Sequence, residues 1–411
     1  MPSRTPLSKD FWRLWTGRTA GFFGSQMGDV ALRILLASTL AAGGIELGIL
    51  SAAQTAGFLL FAIPAGALAD RASRRKLLVI SDLTRAGLLA VIPITALIGN
   101  LNLYLVIVIA FLVGLGNLLF EISYKSLLPD VVPNDKIVLA NTRLETGRTT
   151  GSLIGPPVAG ALIGVISAPV VFIFQSVLHL VSAIRVSGIR TPSSKGATKK
   201  PFVFSEIKEG VTQLGRDRRL TALAGAAATY NFGYGLLAPL AVLVLVTEYR
   251  APPGLVGIVY AFTGVGGVLG ALSAQRILER IPLPRAIILS ETIAPLAALL
   301  FLFATPNSAI VLFTIGNLLL HFGLAIYNIT SISLRQFLCP PTMLGRVTAT
   351  MGFFASGTLP LGALLGGFLG ELVGSRFGLS VVFFAFTGAV AWLFLSPIRR
   401  MELTNSKGEL N

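Results

Sequence analysis

The chain has 411 residues, of which 54% are hydrophobic and 12% charged, and 33 Lys and Arg stand against 18 Asp and Glu for a net charge of +15. Soluble proteins carry about a quarter charged residues, so a mean hydropathy of +0.79 excludes an ordinary water-soluble domain and requires surface that faces lipid. The basic excess has no soluble domain to present it to nucleic acid, and the single cysteine, Cys339, excludes an intramolecular disulfide.

The N-terminal arm is basic (Arg4, Lys9, Arg13, Arg18), with Phe11, Trp12 and Trp15 as an interfacial aromatic anchor. The first apolar run contains Asp29 and Arg33 and is too long for a signal h-region, so it is expected to remain as a span. Spans need about 20 apolar residues. Twelve such runs are expected, near 17–41, 47–69, 77–98, 102–124, 145–167 and 169–188, then 220–246, 255–275, 286–304, 308–331, 347–371 and 378–397. The fold class is therefore an all-α membrane protein with twelve transmembrane helices.

Lys and Arg concentrate in alternate connections: Arg71 to Lys76; Lys125, Lys136 and Arg143; Arg190 to Arg219; Arg276, Arg280 and Arg285; Arg335 and Arg346; and Arg399, Arg400 and Lys407. The intervening connections are nearly free of both, apart from Arg250 and Arg376. Short loops rich in Lys and Arg stay cytoplasmic, which places both termini in the cytoplasm of a cell with the protein in its inner membrane.

Composition turns polar only between Arg190 and Arg219. Here Phe204, Ile207, Val211 and Leu214 recur at helical spacing opposite Glu206, Lys208 and Glu209, the pattern of an amphipathic helix on the membrane surface. The expected organisation is a six-helix bundle over 1–188, a cytoplasmic linker over 189–219, a second bundle over 220–398 and a tail over 399–411. Three short matches relate the halves in order. Gly66-Ala67-Leu68 and Gly270-Ala271-Leu272 share an offset of 204 with Pro156 and Pro360, and Gly116-Asn117-Leu118-Leu119 returns as Gly316-Asn317-Leu318-Leu319. They predict two pseudo-symmetric bundles from an internal duplication.

The loop after the second run carries Gly66, Asp70, Arg71, Arg74 and Arg75 in the pattern G-x-x-x-D-R/K-x-G-x-R/K-R/K, with Ser73 at the second glycine. With two six-span halves, this resembles the major facilitator superfamily over essentially the whole chain. The fifth run, with Gly147, Gly151, Gly155, Pro156, Pro157 and Gly160, is similar to the signature G-x-x-x-G-P-x-x-G-G of twelve-span antiporters, with Ala159 at its penultimate glycine. Leu128 to Asn141 and Asp82 to Arg85 look most like the macrolide-efflux and enterobactin-exporter branch.

The resemblance implies that the loop cluster is a cytoplasmic gate, with Asp70 near a helix N-terminus and the arginines tied to carboxylates on neighbouring spans; a solvated topogenic loop is the plainer alternative. The second-half counterpart has Ala274 where Asp70 stands. It also implies that spans one, four, seven and ten line the central cavity. Asp29 lies roughly 18 Å into span one, which makes it the proton-site candidate, with Arg33 one turn on; a static Asp29–Arg33 pair is the alternative. Asp82 and Arg85 read as a structural pair beside the gate, and Glu121 and Glu145 as receivers of the loop arginines. His321 is a further proton-coupling candidate, with a hydrogen-bonded packing histidine as the alternative. His179 and Glu291 read as structural. Tyr230, Asn231, Tyr234, Asn317, Tyr327 and Asn328 are substrate-cavity candidates.

No phosphate loop, dinucleotide fingerprint, zinc motif or nucleophile elbow is present, so no enzyme activity, cofactor or metal is expected. The expected function is secondary active export of amphipathic small molecules of drug, macrolide or siderophore type by proton antiport with alternating access. Proton-coupled uptake, lysolipid translocation and a non-transporting sensor or assembly partner are the alternatives. The expected partners are a small amphipathic substrate, protons and the lipid bilayer, with no nucleic acid, and the protein is expected to act as a monomer.

Overall fold

The computed structural model describes residues 7–133, 136–190 and 211–401. Among them are twelve long helices and no strand. They are α1 (Lys9–Ile34), α2 (Gly44–Arg71), α3 (Arg74–Leu97), α4 (Leu103–Val131), α5 (Ile137–Val165), α6 (Ala168–Ser187), α7 (Arg218–Val242), α8 (Pro253–Arg280), α9 (Leu283–Leu302), α10 (Ala309–Leu338), α11 (Pro341–Leu369) and α12 (Ser375–Phe394). Nine helical runs are long and apolar enough to cross a membrane, one of which, Met343–Phe394, joins α11 and α12. The two helices outside that set are α1, with Arg18, Asp29 and Arg33 along it, and α5, with Arg143, Glu145 and Arg148 in its first turns. Leu97, Ile184 and Phe384 are exposed on their helices, as residues that face acyl chains must be.

Helix ends follow from local chemistry. Ser8 accepts the Phe11 N–H at 3.0 Å, which starts α1 at Lys9 and makes the basic aromatic arm its first turns rather than a separate anchor. Asn102 and Asp217 cap α4 and α7 in the same way, and proline opens α8, α9 and α11. Gly374 joins α11 to α12 with φ +107°, a conformation that only glycine adopts without strain. Of the expected linker helix, 211–216 are helical, with Leu214 buried; Phe204, Glu206, Ile207, Lys208 and Glu209 lie outside the described residues.

The chain forms two compact units, Met1–Leu35 with Ala56–Phe202, and Leu36–Thr55 with Val203–Asn411. In the first, α1 packs on α5 and α6, and α3 packs on α4 and α6. Its core gathers Phe11, Leu14, Phe120, Tyr124, Leu127, Leu144 and Val186. In the second, α7 packs on α11 and α12, and α9 on α10 and α12, around Leu236, Leu240, Phe301, Phe313, Leu320 and Phe386. The second pairing is the first shifted by six helices, so the bundles are pseudo-symmetric repeats.

Backbone detail repeats as well. Leu35–Thr39 extends α1, and Leu243–Glu248 extends α7, both as π-helix. Each ends where an N–H reaches the carbonyl six residues back, Ala42 to Leu36 and Ala251 to Leu245. The residues just before these, Ala41 and Arg250, share φ near +50°. The opening turns of α2 belong to the second unit because Gly44 and Gly48 lie against Gly367, and the Ile45 N–H donates to Glu371 at 2.8 Å.

Candidate functional site

The first unit encloses a cavity of about 420 Å³ whose walls come from α1, α2, α3, α4 and α5. One face of α1 supplies Arg18, Phe22, Ser25, Gln26 and Asp29, positions three or four apart that stack along a helix. Glycine lets α5 approach α1 here. A Cβ at Gly151 would stand 2.9 Å from Phe22, and one at Gly155 would stand 2.7 Å from Gln26. The glycines of the antiporter-like run therefore bring two helices together beside this cavity, and Pro156 lies within α5 where that close packing occurs.

Asp29 faces the cavity and is exposed to it, with Arg33 one turn further along α1 in electrostatic contact. Arg85 of α3 lines the same cavity. Its guanidinium donates to Asn117 Oδ1 at 2.7 Å, to the Ser81 carbonyl at 3.2 Å and to Asp82 Oδ1 at 2.5 Å, and it lies 4.7 Å above the Phe120 ring. Asp82 is fully buried and also receives His179 Nδ1 at 3.1 Å. A carboxylate only accepts, so His179 carries its proton on Nδ1. Arg85 thus spans a buried carboxylate and the cavity wall.

Nearer the basic end, Glu121 lies 3.6 Å from Arg18 and 3.4 Å from Lys125. Arg18 is buried; it also donates to Tyr124 Oη at 3.1 Å and to the Leu144 carbonyl at 3.3 Å, and it sits over the Tyr124 ring. Glu145 pairs with Arg148 at 2.5 Å. Every cation on the wall therefore has an acidic neighbour, and Asp29 and Glu121 are the carboxylates that line the open space.

Of the sequence-predicted residues, Asp29, Arg85 and Glu121 meet at this cavity, with Asp82 and Glu145 one interaction behind it. The loop arginines find other partners: Arg74 pairs with Asp130 at 2.6 Å and donates to the Ser126 carbonyl, and Arg75 donates to the Ile189 carbonyl. The side chains of Gly66, Asp70 and Arg71 lie outside the described residues. Gly160 is buried in α5.

In the second unit, Tyr230, Asn317 and Tyr327 are buried. Asn317 Nδ2 donates to the Phe313 carbonyl at 2.9 Å, and Tyr230 stacks near Phe386 at 5.1 Å, so these are packing positions. His321 Nδ1 lies 3.0 Å from the Asn317 carbonyl, with the Tyr234 ring edge-on at 5.9 Å. His321, Asn231 and Tyr234 are half-buried and Asn328 is exposed. Sequence reasoning did not single out Gln26, Asn117 or Arg148 for the cavity, and it took Arg18 for part of a surface arm. The stripe Arg18, Ser25, Gln26, Asp29, Arg33 at helical spacing was the signal that could have found the α1 members.

The family model for the Major Facilitator Superfamily matches residues 14–358. The chain is similar to macrolide efflux protein A of Streptococcus pyogenes, 22% identical over 373 residues that cover 89% of this chain and 90% of that protein. It is 27% identical over 384 residues to the multidrug efflux pump Tap of Mycolicibacterium fortuitum, covering 88% and 90% of the two. Among solved structures, a bacterial homologue of the iron transporter ferroportin in its inward-facing state superposes with a TM-score of 0.76 at 16% identity, over 95% of this chain and 99% of that one. With its twelve helices, its two repeated bundles and a match over most of its length, the chain belongs to the Major Facilitator Superfamily and is a multi-pass membrane transporter.

Proposed function

We propose that the protein exports amphipathic small molecules of the macrolide or multidrug type from the cytoplasm in exchange for protons, by alternating access, as a monomer in the cell membrane with both termini cytoplasmic. The observation that carries this reading is Asp29, an ionisable group deep in a membrane helix that is turned to a polar cavity. Intramembrane carboxylates are costly, about 2.5–3.5 kcal/mol on insertion scales, and mark ion or substrate paths. The export relatives support the direction.

In this scheme Asp29 takes a proton from the outward-open side and yields it inward. Gln26, Asn117 and Ser25 offer hydrogen bonds to a bound solute, and Phe22, Phe58 and Phe120 offer it apolar surface. Arg85, held by Asp82 and Asn117, keeps a fixed positive charge on the wall of the same cavity. Arg74 and Arg75, with Asp70 and Arg71, would form the cytoplasmic latch, and Pro156 a point where α5 flexes. Each pH unit supplies about 1.36 kcal/mol per proton, and 100 mV adds about 2.3 kcal/mol per charge moved, enough for a tenfold gradient of a neutral solute.

The test is flux of a labelled macrolide in proteoliposomes under an imposed pH gradient. Wild-type protein should move the macrolide against the direction of proton flow. Asp29→Asn should abolish that response while macrolide binding persists. Unchanged pH-driven flux in Asp29→Asn would remove Asp29 from the mechanism, and accumulation in the direction of proton flow would replace export by uptake.

A further inference from the structure

The second unit holds a larger hollow, about 890 Å³. It opens where the start of α7 meets the end of α12 and the short 3-10 turn Pro397–Arg400. Arg218, Arg399 and Arg400 line it together with Thr221, Trp392 and Leu395. All three arginines are exposed, and among the described residues no carboxylate forms an ion pair with any of them. Three guanidinium groups on one hollow, with no carboxylate paired to them among the described residues, favour a bound anion.

The site is built rather than incidental. Ile398 is fully buried in the unit's core, and the Ile398 N–H donates to Ser396 Oγ at 3.2 Å, so the turn that carries Arg399 and Arg400 is anchored. Arg399 also lies 4.7 Å above the Phe394 ring. Trp392 is fixed as well. Its Nε1 donates to Thr229 Oγ1 at 3.1 Å, and its ring lies over Gly225, where a Cβ would stand 2.5 Å from it. Beside this fixed indole, Leu395 is 81% exposed. Cationic side chains thus line one hollow together with an apolar wall that faces acyl chains.

We infer that this hollow binds an anionic glycerophospholipid, with its phosphodiester among Arg218, Arg399 and Arg400 and its acyl chains along Trp392 and Leu395. Guanidinium groups match phosphate oxygens in bidentate fashion. Tryptophan prefers the headgroup level of a bilayer, and basic pockets between helices at the positively charged side of a membrane protein recognise such headgroups. Charge complementarity selects an anionic lipid over phosphatidylcholine. The exposed apolar wall selects a lipid over free phosphate.

The test uses the full-length protein in neutral detergent, titrated with phosphatidylglycerol, phosphatidylcholine or inorganic phosphate. Melting is followed by intrinsic fluorescence, and retained lipid is counted by native mass spectrometry. Phosphatidylglycerol should raise the melting temperature and remain bound, while phosphatidylcholine and millimolar inorganic phosphate should do neither. The triple variant Arg218→Gln, Arg399→Gln, Arg400→Gln should lose the response. Arg400→Gln alone should weaken phosphatidylglycerol binding roughly fivefold and serves as the deciding variant if the triple variant is not monodisperse. An undiminished phosphatidylglycerol response in either variant would overturn the assignment. So would an equal response to inorganic phosphate, or a wild-type protein that ignores phosphatidylglycerol because its own acidic tail residues Glu402 and Glu409 occupy the arginines.

Discussion

Removing Arg85 while leaving Asp82 in place is the sharpest probe of how the first unit holds its cavity wall. Asp82 is fully buried, with Arg85 at 2.5 Å and His179 Nδ1 at 3.1 Å on the same oxygen, while its Oδ2 has no hydrogen-bond partner among the described residues. In Arg85→Met the methionine fills the space of the arginine stem, and the carboxylate keeps the His179 Nδ1 donor. Breaking a buried pair from one side costs about 3–5 kcal/mol, because the remaining charge stays desolvated. For a unit of this size that is a fall in melting temperature of roughly 6 °C or more. The double variant Asp82→Asn, Arg85→Met removes both charges, and its amide oxygen still accepts from His179 Nδ1. Buried pairs replaced by neutral groups are often no less stable than the original, so the double variant should melt well above the single one. Asn117 loses the Arg85 donor in both variants, and that loss cancels in the comparison. The assay is thermal denaturation of purified protein, followed by the monodisperse fraction that survives heating. If the double variant melts as low as Arg85→Met or lower, uncompensated charge is not what Arg85 relieves, and the reasoning fails.

Three further outcomes follow from single sites. Gly270→Leu should leave little folded protein, because a Cβ there stands 2.9 Å from that of Ala325 on α10 and closes on the Phe322 carbonyl; overpacking of that kind costs about 1–3 kcal/mol or more. Gly267→Leu on the same helix, with nothing within 4 Å, should express normally, and equal yields of the two would refute the close α8–α10 approach. Glu291 is 1% exposed, and its Oε1 has no hydrogen-bond partner among the described residues, so Glu291→Gln, which keeps the volume, should melt no lower than wild type; a clear fall would show that the carboxylate makes a stabilising interaction. Asp217 caps α7, and hydrogen bonds from the Arg219 side chain hold its carboxyl below the ordinary value of 3.8. A depressed folded value adds stability above that pH and loses it as pH falls through the folded value. Asp217→Asn should therefore cost less than about 1 kcal/mol at neutral pH, with the gap closing in acid below the ordinary carboxyl range. A gap that persists there would mean the cap geometry, and not the charge, sets the difference.

The sequence carried the architecture well because lipid imposes it. Long apolar runs and alternating basic loops are direct consequences of spanning a bilayer, and all twelve runs are helices. The duplication was visible in three short matches, yet the fuller evidence for it has no sequence trace. Ala41 and Arg250 adopt the same left-handed turn after the same π-helical extension, with side chains that share nothing. A turn closed by backbone hydrogen bonds alone leaves its side chains free to diverge.

The site was legible on α1 and obscure on α7 and α10, for one physical reason. On α1, Arg18, Ser25, Gln26, Asp29 and Arg33 share a face, and between Ala20 and Ile34 every other residue is apolar or glycine, so the polar stripe states which way the helix is turned. On α7 and α10 the polar positions are scattered round the helix: Thr229 and Asn231 flank Tyr230, Asn328 follows Tyr327, and Thr330 and Ser331 lie one turn on, so no single stripe is marked. Against lipid, an apolar residue is equally at home facing outward or inward, so composition does not encode rotation about the helix axis. Packing decides it instead. Gly233, where a Cβ would stand 3.0 Å from Phe386, seats α7 against α12 and carries Tyr230 onto Phe386 in the core. Gly316 and Gly323 seat α10 against Phe301 and Ser290 of α9 and bury Asn317 and Tyr327 on that side. What turns these helices is the placing of glycine on one face, and that placing acquires meaning only once the partner helix is known.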